Sequence, residues 1–389
     1  MRGVMSPTIR LAVQYVLLFG ATGVSLPFAG LWLSSRGMSG AEIGALLAAP
    51  MLGRLATGPA TAVWADGFRS RRTPIALLGL VAAVGYGGAG LASEAWMRAL
   101  CWFVGASAAA ALIPLTDVLN LRVARRTGHS FAFPRGCGSA AFVCANVAMG
   151  ALLTVAPPDA VIVWVVAASA GIGLYAWRGL PDEPVSATGP ADGLARFRGL
   201  GRLLRDPIFM TALFAIGSVQ AAHAFYYGFS AIAWKTQGLD ERMTGLLWAF
   251  SVVVEIGFMW WIEPWRKRRR IGPWAMLMLG VGASVLRWSL MALAPPLWAL
   301  WPLQTLHALT FAATYLAGVE IIERLTPDDS HTAGQTLNSM LAAGVLIGVA
   351  TLASGPLYDA AGVGGYLAMA AMAAMGGVLA LGVRRRLTI

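Results

Sequence analysis

The amino-acid sequence predicts an all-α polytopic membrane protein, with twelve transmembrane helices arranged as two six-helix halves. Three observations predict it: the composition, a succession of long apolar runs, and one polar break near the middle. Of 389 residues, 58% are hydrophobic and 12% charged, against about 45–50% and about 25% in an average soluble domain. So few charged side chains cannot cover a water-facing surface, which excludes a soluble globule. The mean hydropathy of +0.67 arises from runs close to the ~20 residues that cross a bilayer as helix. Twelve such runs place roughly 240 residues in hydrocarbon and leave no length for a separate catalytic domain.

In the first half the spans lie near residues 10–33, 40–64, 74–93, 96–120, 135–156 and 160–178. The first run, from Arg10 to Leu33, is too long for a signal-peptide core and has no small-residue cleavage site, so it is expected to persist as a span. Ser39 and Glu42 have the S-x-x-E spacing of a capping box ahead of the second. The third carries Gly79, Gly85, Gly87, Gly88 and Gly90, which permit close helix approach in lipid. Residues 179–207 mix Pro, Gly and charge and read as a polar linker with a short basic amphipathic segment. The expected organisation is therefore an N-terminal bundle over 1–180, a cytoplasmic linker over 181–207 and a C-terminal bundle over 208–389. Its spans lie near 208–234, 242–263, 273–294, 297–322, 332–354 and 364–383, with Thr332 and Gln335 in T-x-x-Q capping spacing before the fifth of them. Pro27, Pro114 and Pro302 fall within spans, where a lost backbone bond allows a kink.

The formal charge of +11 is explained by topology and needs no nucleic-acid partner. Twenty-two of the 29 Lys and Arg residues fall on one face and only Arg36, Arg98, Lys235 and Arg242 on the other. The positive-inside bias puts both termini in the cytoplasm of a cell (inner) membrane. Cys101, Cys137 and Cys144 all lie in apolar runs, the last two about 10 Å apart along one helix, too far to pair. No Cys/His spacing suits a metal, so neither metal nor cofactor is expected, and the proton gradient is the expected energy source.

The informative residues are ionisable groups inside spans, each costing at least ~2.5–3.5 kcal/mol at a helix centre. They are Arg54, Asp117, Arg135, His223, Glu255, Arg287 and His307, on seven different spans. Hydrolytic and metal sites gather such groups locally. Dispersed charges that converge from separate helices instead suit a transporter binding a polar solute and coupling it to protons. Neighbours at helical spacing extend several of these positions into polar or aromatic stripes. Gln304, His307, Thr310, Phe311 and Thr314 share one face; Tyr226 and Tyr227 follow His223; Trp248 and Ser251 precede Glu255; Ser284 precedes Arg287. Expected substrate-binding residues are Arg135, Arg287, His223, Tyr226, Tyr227, Trp248, Gln304 and His307. Expected proton-coupling residues are Glu255, Asp117 and His307. A packing ion pair explains Arg54 as readily as function does, and it is not placed among the site residues.

The strings HAFYYGFSAIAW at 223–234, PLTD at 114–117, RGCGSAAF at 135–142, LRW at 286–288 and QTLHALTF at 304–311 resemble the major facilitator superfamily, most closely the proton-coupled 3-phenylpropionate permease group related to lactose and nucleoside symporters. Asp66, Arg69, Arg71 and Arg72 resemble the loop between spans two and three that latches the cytoplasmic gate in that superfamily. Its second-half counterpart, WRKRRRIG at 265–272, keeps the basic run without a clear aspartate. The resemblance implies proton-driven uptake of a small aromatic carboxylate by a monomer in the lipid bilayer, with arginines holding substrate and acids cycling protons. The lactose-permease-like symporters carry a further carboxylate one turn after the histidine; Thr310 stands there in this chain. Proton-coupled nucleoside or sugar uptake and drug efflux by antiport remain as alternatives, as does a polytopic enzyme or sensor. Against efflux, the stretch from Arg135 to Pro157 lacks a G-P-x-x-G-G ending. No loop carries a nucleophile, metal or phosphate motif, and no enzymatic activity is expected.

Overall fold

The computed structural model describes residues 5–185, 199–327 and 330–387. Helices run from one end to the other: α1 (Pro7–Ser35), α2 (Gly40–Asp66), α3 (Arg72–Leu91), α4 (Ala95–Thr127), α5 (Ala132–Leu152) and α6 (Asp159–Arg178). A six-residue helix, α7 (Leu200–Arg205), is the basic segment expected at the end of the linker; residues 186–198 of that linker lie outside the described residues. Then come α8 (Pro207–Thr236), α9 (Glu241–Arg268), α10 (Pro273–Met291), α11 (Leu297–Leu325), α12 (331–361) and α13 (Tyr366–Leu387). With α7 set aside, these are the twelve expected spans, and among the described residues no strand is present beyond a single bridge between Ser70 and Pro184. Among the described residues nine runs are long and apolar enough to cross a membrane, the last of them joining α12 and α13, and α2 and α5 are not among them. Those two are the spans that carry Arg54 and Arg135.

Local chemistry sets the helix ends. The Ser39 amide donates to the Glu42 carboxylate at 2.8 Å and the Glu42 amide to the Ser39 hydroxyl at 3.3 Å, the reciprocal box the spacing predicts. Asp206 caps α8 by accepting from the amides of Ile208 and Phe209 at 2.8 and 3.2 Å. Thr332 is not the residue that opens its helix. The helix starts one residue earlier, at His331 with Ser330 before it, and the Gln335 amide donates to the Val319 carbonyl at 3.0 Å.

The described residues divide into two compact units. The first takes Met1–Met38, Gly53–Ser186 and Asp240–Ala249; the second takes Ser39–Leu52, Ala187–Leu239 and Phe250–Ile389. Two helices, α2 and α9, therefore change unit along their length. In the first unit a core of Leu11, Tyr15, Ile75, Leu112, Leu119 and Ile172 joins α1, α3, α4 and α6. Glycine sets the spacing of α3: a Cβ at Gly79 would lie 2.5 Å from the Gly173 nitrogen, and one at Gly85 2.5 Å from the Gly105 nitrogen. In lipid, where apolar burial gives helices little reason to associate, such close backbone contact is what holds them together. In the second unit Phe209, Leu213, Ile216, Leu277, Ala312 and Ile321 form the corresponding core.

Three helices contain π-helical turns, at Phe258–Ile262 in α9, Ala308–Ala313 in α11 and Leu341–Leu346 in α12. The first lies three residues after Glu255 and the second begins directly after His307. Such turns release part of the regular ladder and are common beside functional groups. Helix α8 is likewise interrupted, ending its first segment at Ala221 and resuming at Ala224, so that His223 occupies the break.

Candidate functional site

In the second unit the ionisable groups of α8, α9, α10 and α11 meet. Arg287 is fully buried. Its Nη2 donates to the Gln304 side-chain oxygen at 2.7 Å, and its Nη1 to the Thr310 hydroxyl at 3.1 Å and to His307 Nδ1 at 3.1 Å. A guanidinium can only donate, so His307 Nδ1 must offer its lone pair, which leaves the ring proton on Nε2. That nitrogen faces the Glu255 carboxylate at 3.5 Å. The three groups form one line: Glu255, His307, Arg287.

His223 joins from the break in α8. Its Nε2 lies 3.0 Å from the Thr310 hydroxyl and its Nδ1 3.0 Å from the Gln220 carbonyl. Tyr226 donates its hydroxyl to the Gln304 oxygen at 3.1 Å, and Tyr227 stacks on His223 with centroids 5.7 Å apart. The guanidinium carbon of Arg287 lies 4.9 Å from the Tyr226 ring centroid and 4.5 Å from that of Trp288, cation–π distances. Trp288 in turn stacks on Tyr366 at 5.7 Å and 6°, and His307 on Phe311 at 5.4 Å and 3°.

What this cluster lacks is an acid for Arg287. Among the described residues no carboxylate lies within ion-pair distance of it, and the position where the lactose-type pattern has one is the Thr310 hydroxyl. Several donors are also unspent: Arg287 Nε, Gln304 Nε2, Trp288 Nε1, the Tyr366 hydroxyl and the Ser284 hydroxyl are buried without hydrogen-bond partners. Most buried polar groups have partners. A positive centre with spare donors and aromatic walls is built to receive an electron-rich group.

The first unit holds a second cluster. Arg135 lies 3.5 Å from Asp117 and over the ring of Phe19, 4.7 Å from its centroid. Tyr15 donates its hydroxyl to Asp117 at 2.5 Å, and Asn120 donates to the Tyr15 oxygen at 3.4 Å and to the Phe131 carbonyl at 3.0 Å. His129 Nε2 sits 3.1 Å from the Asn120 oxygen, so a polar chain runs from Asp117 to the turn between α4 and α5. Tyr15 and Asn120 are absent from the sequence-predicted set; the cue for Tyr15 was a hydroxyl within an apolar run, one helical turn before Phe19. Trp248 is buried in the portion of α9 that belongs to this unit, apart in assignment from Glu255 seven residues later.

The loop after α2 is tied by ion pairs. Asp66 lies 3.7 Å from Arg71, and Arg72 3.3 Å from Asp182. The Arg71 amide donates to the Glu183 carbonyl at 2.9 Å, and the Arg69 carbonyl accepts from Val185 at 3.1 Å. In the second unit the basic run does find acids. Arg266 makes two hydrogen bonds to Glu263, each 2.7 Å, and an ion pair to Glu320. The acid comes from three residues before the arginine and from α11, which is why the run itself shows no aspartate.

A family model described as "MFS_1 like family" matches residues 8–366. The chain belongs to that family. It is 28% identical over 375 residues to a probable 3-phenylpropionic acid transporter of Escherichia coli (strain K12), covering 95% of this chain and 96% of that one. To a maltose permease of Geobacillus stearothermophilus it is 26% identical over 375 residues, 94% of this chain and 92% of the other. Among solved structures the nucleoside transporter NupG superposes with a TM-score of 0.83 at 17% identity, over 99% of this chain and 100% of that one, a likeness of fold. The protein is accordingly a multi-pass membrane transporter of the major facilitator kind.

Proposed function

We propose that this MFS_1 like protein is a proton-coupled symporter that takes up a small aromatic carboxylate of the phenylpropionate kind. The observation behind this reading is Arg287: a fully buried guanidinium without an acid partner among the described residues, with aromatic rings over it and unspent donors around it. An unpaired charge in hydrocarbon is expensive, and an anionic substrate supplies the missing partner. The names of the relatives include a sugar permease as well as the aromatic acid transporter. A neutral sugar would leave Arg287 uncompensated, which favours the acid.

The proton follows the line from Glu255 through His307 to Arg287. With Glu255 ionised, the Nε2 proton of His307 points at it. Protonating Glu255 removes one charge while the substrate carboxylate neutralises Arg287, so the loaded site carries less charge through the membrane than either partner alone would impose. Asp117 and Arg135 supply a second acid–base pair, with Trp248, Tyr226, Tyr227, His223 and Gln304 completing the substrate contacts. The halves over 1–180 and 208–389, joined by the linker over 181–207, alternate access, and the ion pairs of Asp66, Arg71 and Arg72 steady the cytoplasmic gate. The protein works as a monomer in the cytoplasmic membrane, both termini inside, with the proton gradient as its energy source.

The test is uptake into proteoliposomes with an imposed proton gradient, over a panel of aromatic acids, nucleosides and sugars. Accumulation of the acids, abolished by a protonophore, is the expected result. Accumulation of a nucleoside or sugar in their place would overturn the substrate assignment, and indifference to the gradient would overturn the coupling.

A further inference from the structure

Arg54 is the intramembrane arginine that the clusters above leave out. It lies on α2 in the portion belonging to the first unit, and among the described residues it has neither an ion-pair nor a hydrogen-bond partner. It is exposed, and it borders a cavity of about 210 Å³ between α2 and α4. Arg54, Thr57, Gly58 and Thr61 line it from α2, at the i, i+3, i+4 and i+7 positions of one helical face. Ser107 and Ala110 are among the residues that line it from α4.

The cavity's chemistry is one-sided. No carboxylate is among its lining residues, so nothing there neutralises the guanidinium. The Ser107 hydroxyl is buried with no hydrogen-bond partner, although a serine in a helix ordinarily finds one. A Cβ on Gly58 would meet Arg54 Cγ at 3.8 Å, so the stem of the arginine lies along the glycine of the next turn. Small side chains on both walls keep the space open. At about 210 Å³ the volume falls below the ~300–1,000 Å³ of pockets that enclose drug-sized ligands, which suits the acid end of a small molecule rather than a nucleoside or disaccharide.

We infer that this cavity is a carboxylate subsite in the first unit, in which Arg54 supplies the charge and Ser107 a hydroxyl donor to the anionic end of the transported acid in the conformation seen here, where Arg287 is enclosed. It is additional to the enclosed Arg287 cluster, and it rests on the proposal that the substrate is an organic acid.

The experiment measures dissociation constants of the purified full-length protein for 3-phenylpropionate and for its neutral amide, 3-phenylpropanamide. Arg54→Gln is expected to weaken the acid about 10-fold or more and the amide less than about 2-fold, since only the acid uses the charge. Arg54→Lys keeps the charge and stays within about 3-fold of wild type, and Ser107→Ala weakens the acid by about 2–5-fold. Should Arg54→Gln fail to fold, Ala110→Leu fills the cavity without touching its charge and is expected to weaken the acid by a similar factor. Acid affinity unchanged in Arg54→Gln, or in Ala110→Leu where that variant stands in, overturns the subsite and leaves the proposed function intact. A wild-type protein that binds neither 3-phenylpropionate nor any other carboxylate overturns both.

Discussion

Arg135, in the first turn of α5, and Arg287, toward the end of α10, are both arginines of membrane-crossing helices, yet their surroundings differ in kind. Arg135 has an acid beside it, Asp117 at 3.5 Å, and both side chains are about one-third exposed, at 37% and 33%. Arg287 is completely enclosed and is held by an amide, a hydroxyl and an imidazole. A guanidinium with a carboxylate beside it can release that partner when the acid is protonated, so its positive charge is available conditionally. One surrounded by neutral acceptors keeps its charge uncompensated in every state and needs an anion from outside. The two units thus differ in kind, with a part-exposed, acid-paired guanidinium in the first and an enclosed one held by neutral acceptors in the second.

The largest test of that contrast is Arg287→Gln. It removes hydrogen bonds from a charged donor, each worth about 1.5–3 kcal/mol, and uptake of acid substrate measured as Vmax/KM should fall by about 100-fold or more. Uptake at wild-type level would show that the enclosed guanidinium only fixes helix packing. Next is Glu255→Gln, which leaves His307 a neutral neighbour in place of a carboxylate. Accumulation against a gradient should vanish and uptake lose its rise with external acidity, while downhill exchange stays within about 3-fold of wild type, because coupling and binding use different groups. Accumulation that persists would remove Glu255 from the proton path.

A finer test separates the pair in the first unit. Asp117→Asn and Arg135→Gln should each reduce uptake by about 10-fold, and the double variant should be no worse than the poorer single one, as coupled partners behave in a mutant cycle. Additive losses would mean that the two side chains act independently despite their contact. Smallest of all, Tyr15→Phe keeps the ring that packs near Arg135 and removes only the hydroxyl donated to Asp117. A change of about 2–3-fold in KM is expected from one such bond in a part-exposed setting; a loss as large as that of Asp117→Asn would make Tyr15 a principal member of the site.

Most of the span pattern was legible because bilayer thickness imposes it on each helix separately. The expected runs near 10–33, 160–178 and 297–322 correspond to Pro7–Ser35, Asp159–Arg178 and Leu297–Leu325, and the Ser39–Glu42 box formed as spaced. Thr332 misled because a capping motif describes one possible start, and His331 extends the helix past it. The break at His223 and the π-helical turns after Glu255 and His307 left no trace in the apolar periodicity. Each inserted residue of that kind turns the remainder of the helix by about 100°, so a stripe read at regular spacing drifts off the face it was assigned to.

Composition and apolar runs alone determined that this chain crosses a membrane twelve times and which few ionisable groups lie within the crossings, since hydrocarbon penalises charge wherever the helix sits. Tertiary structure alone decided their company. Arg287 met Thr310, Gln304 and His307 rather than an acid, Asp117 gained Tyr15, Arg266 drew Glu320 from another helix, and Arg54 was left facing a cavity. Partnership depends on how helices rotate and slide against one another, and those are set by contacts among residues far apart in the chain, which no single helix encodes.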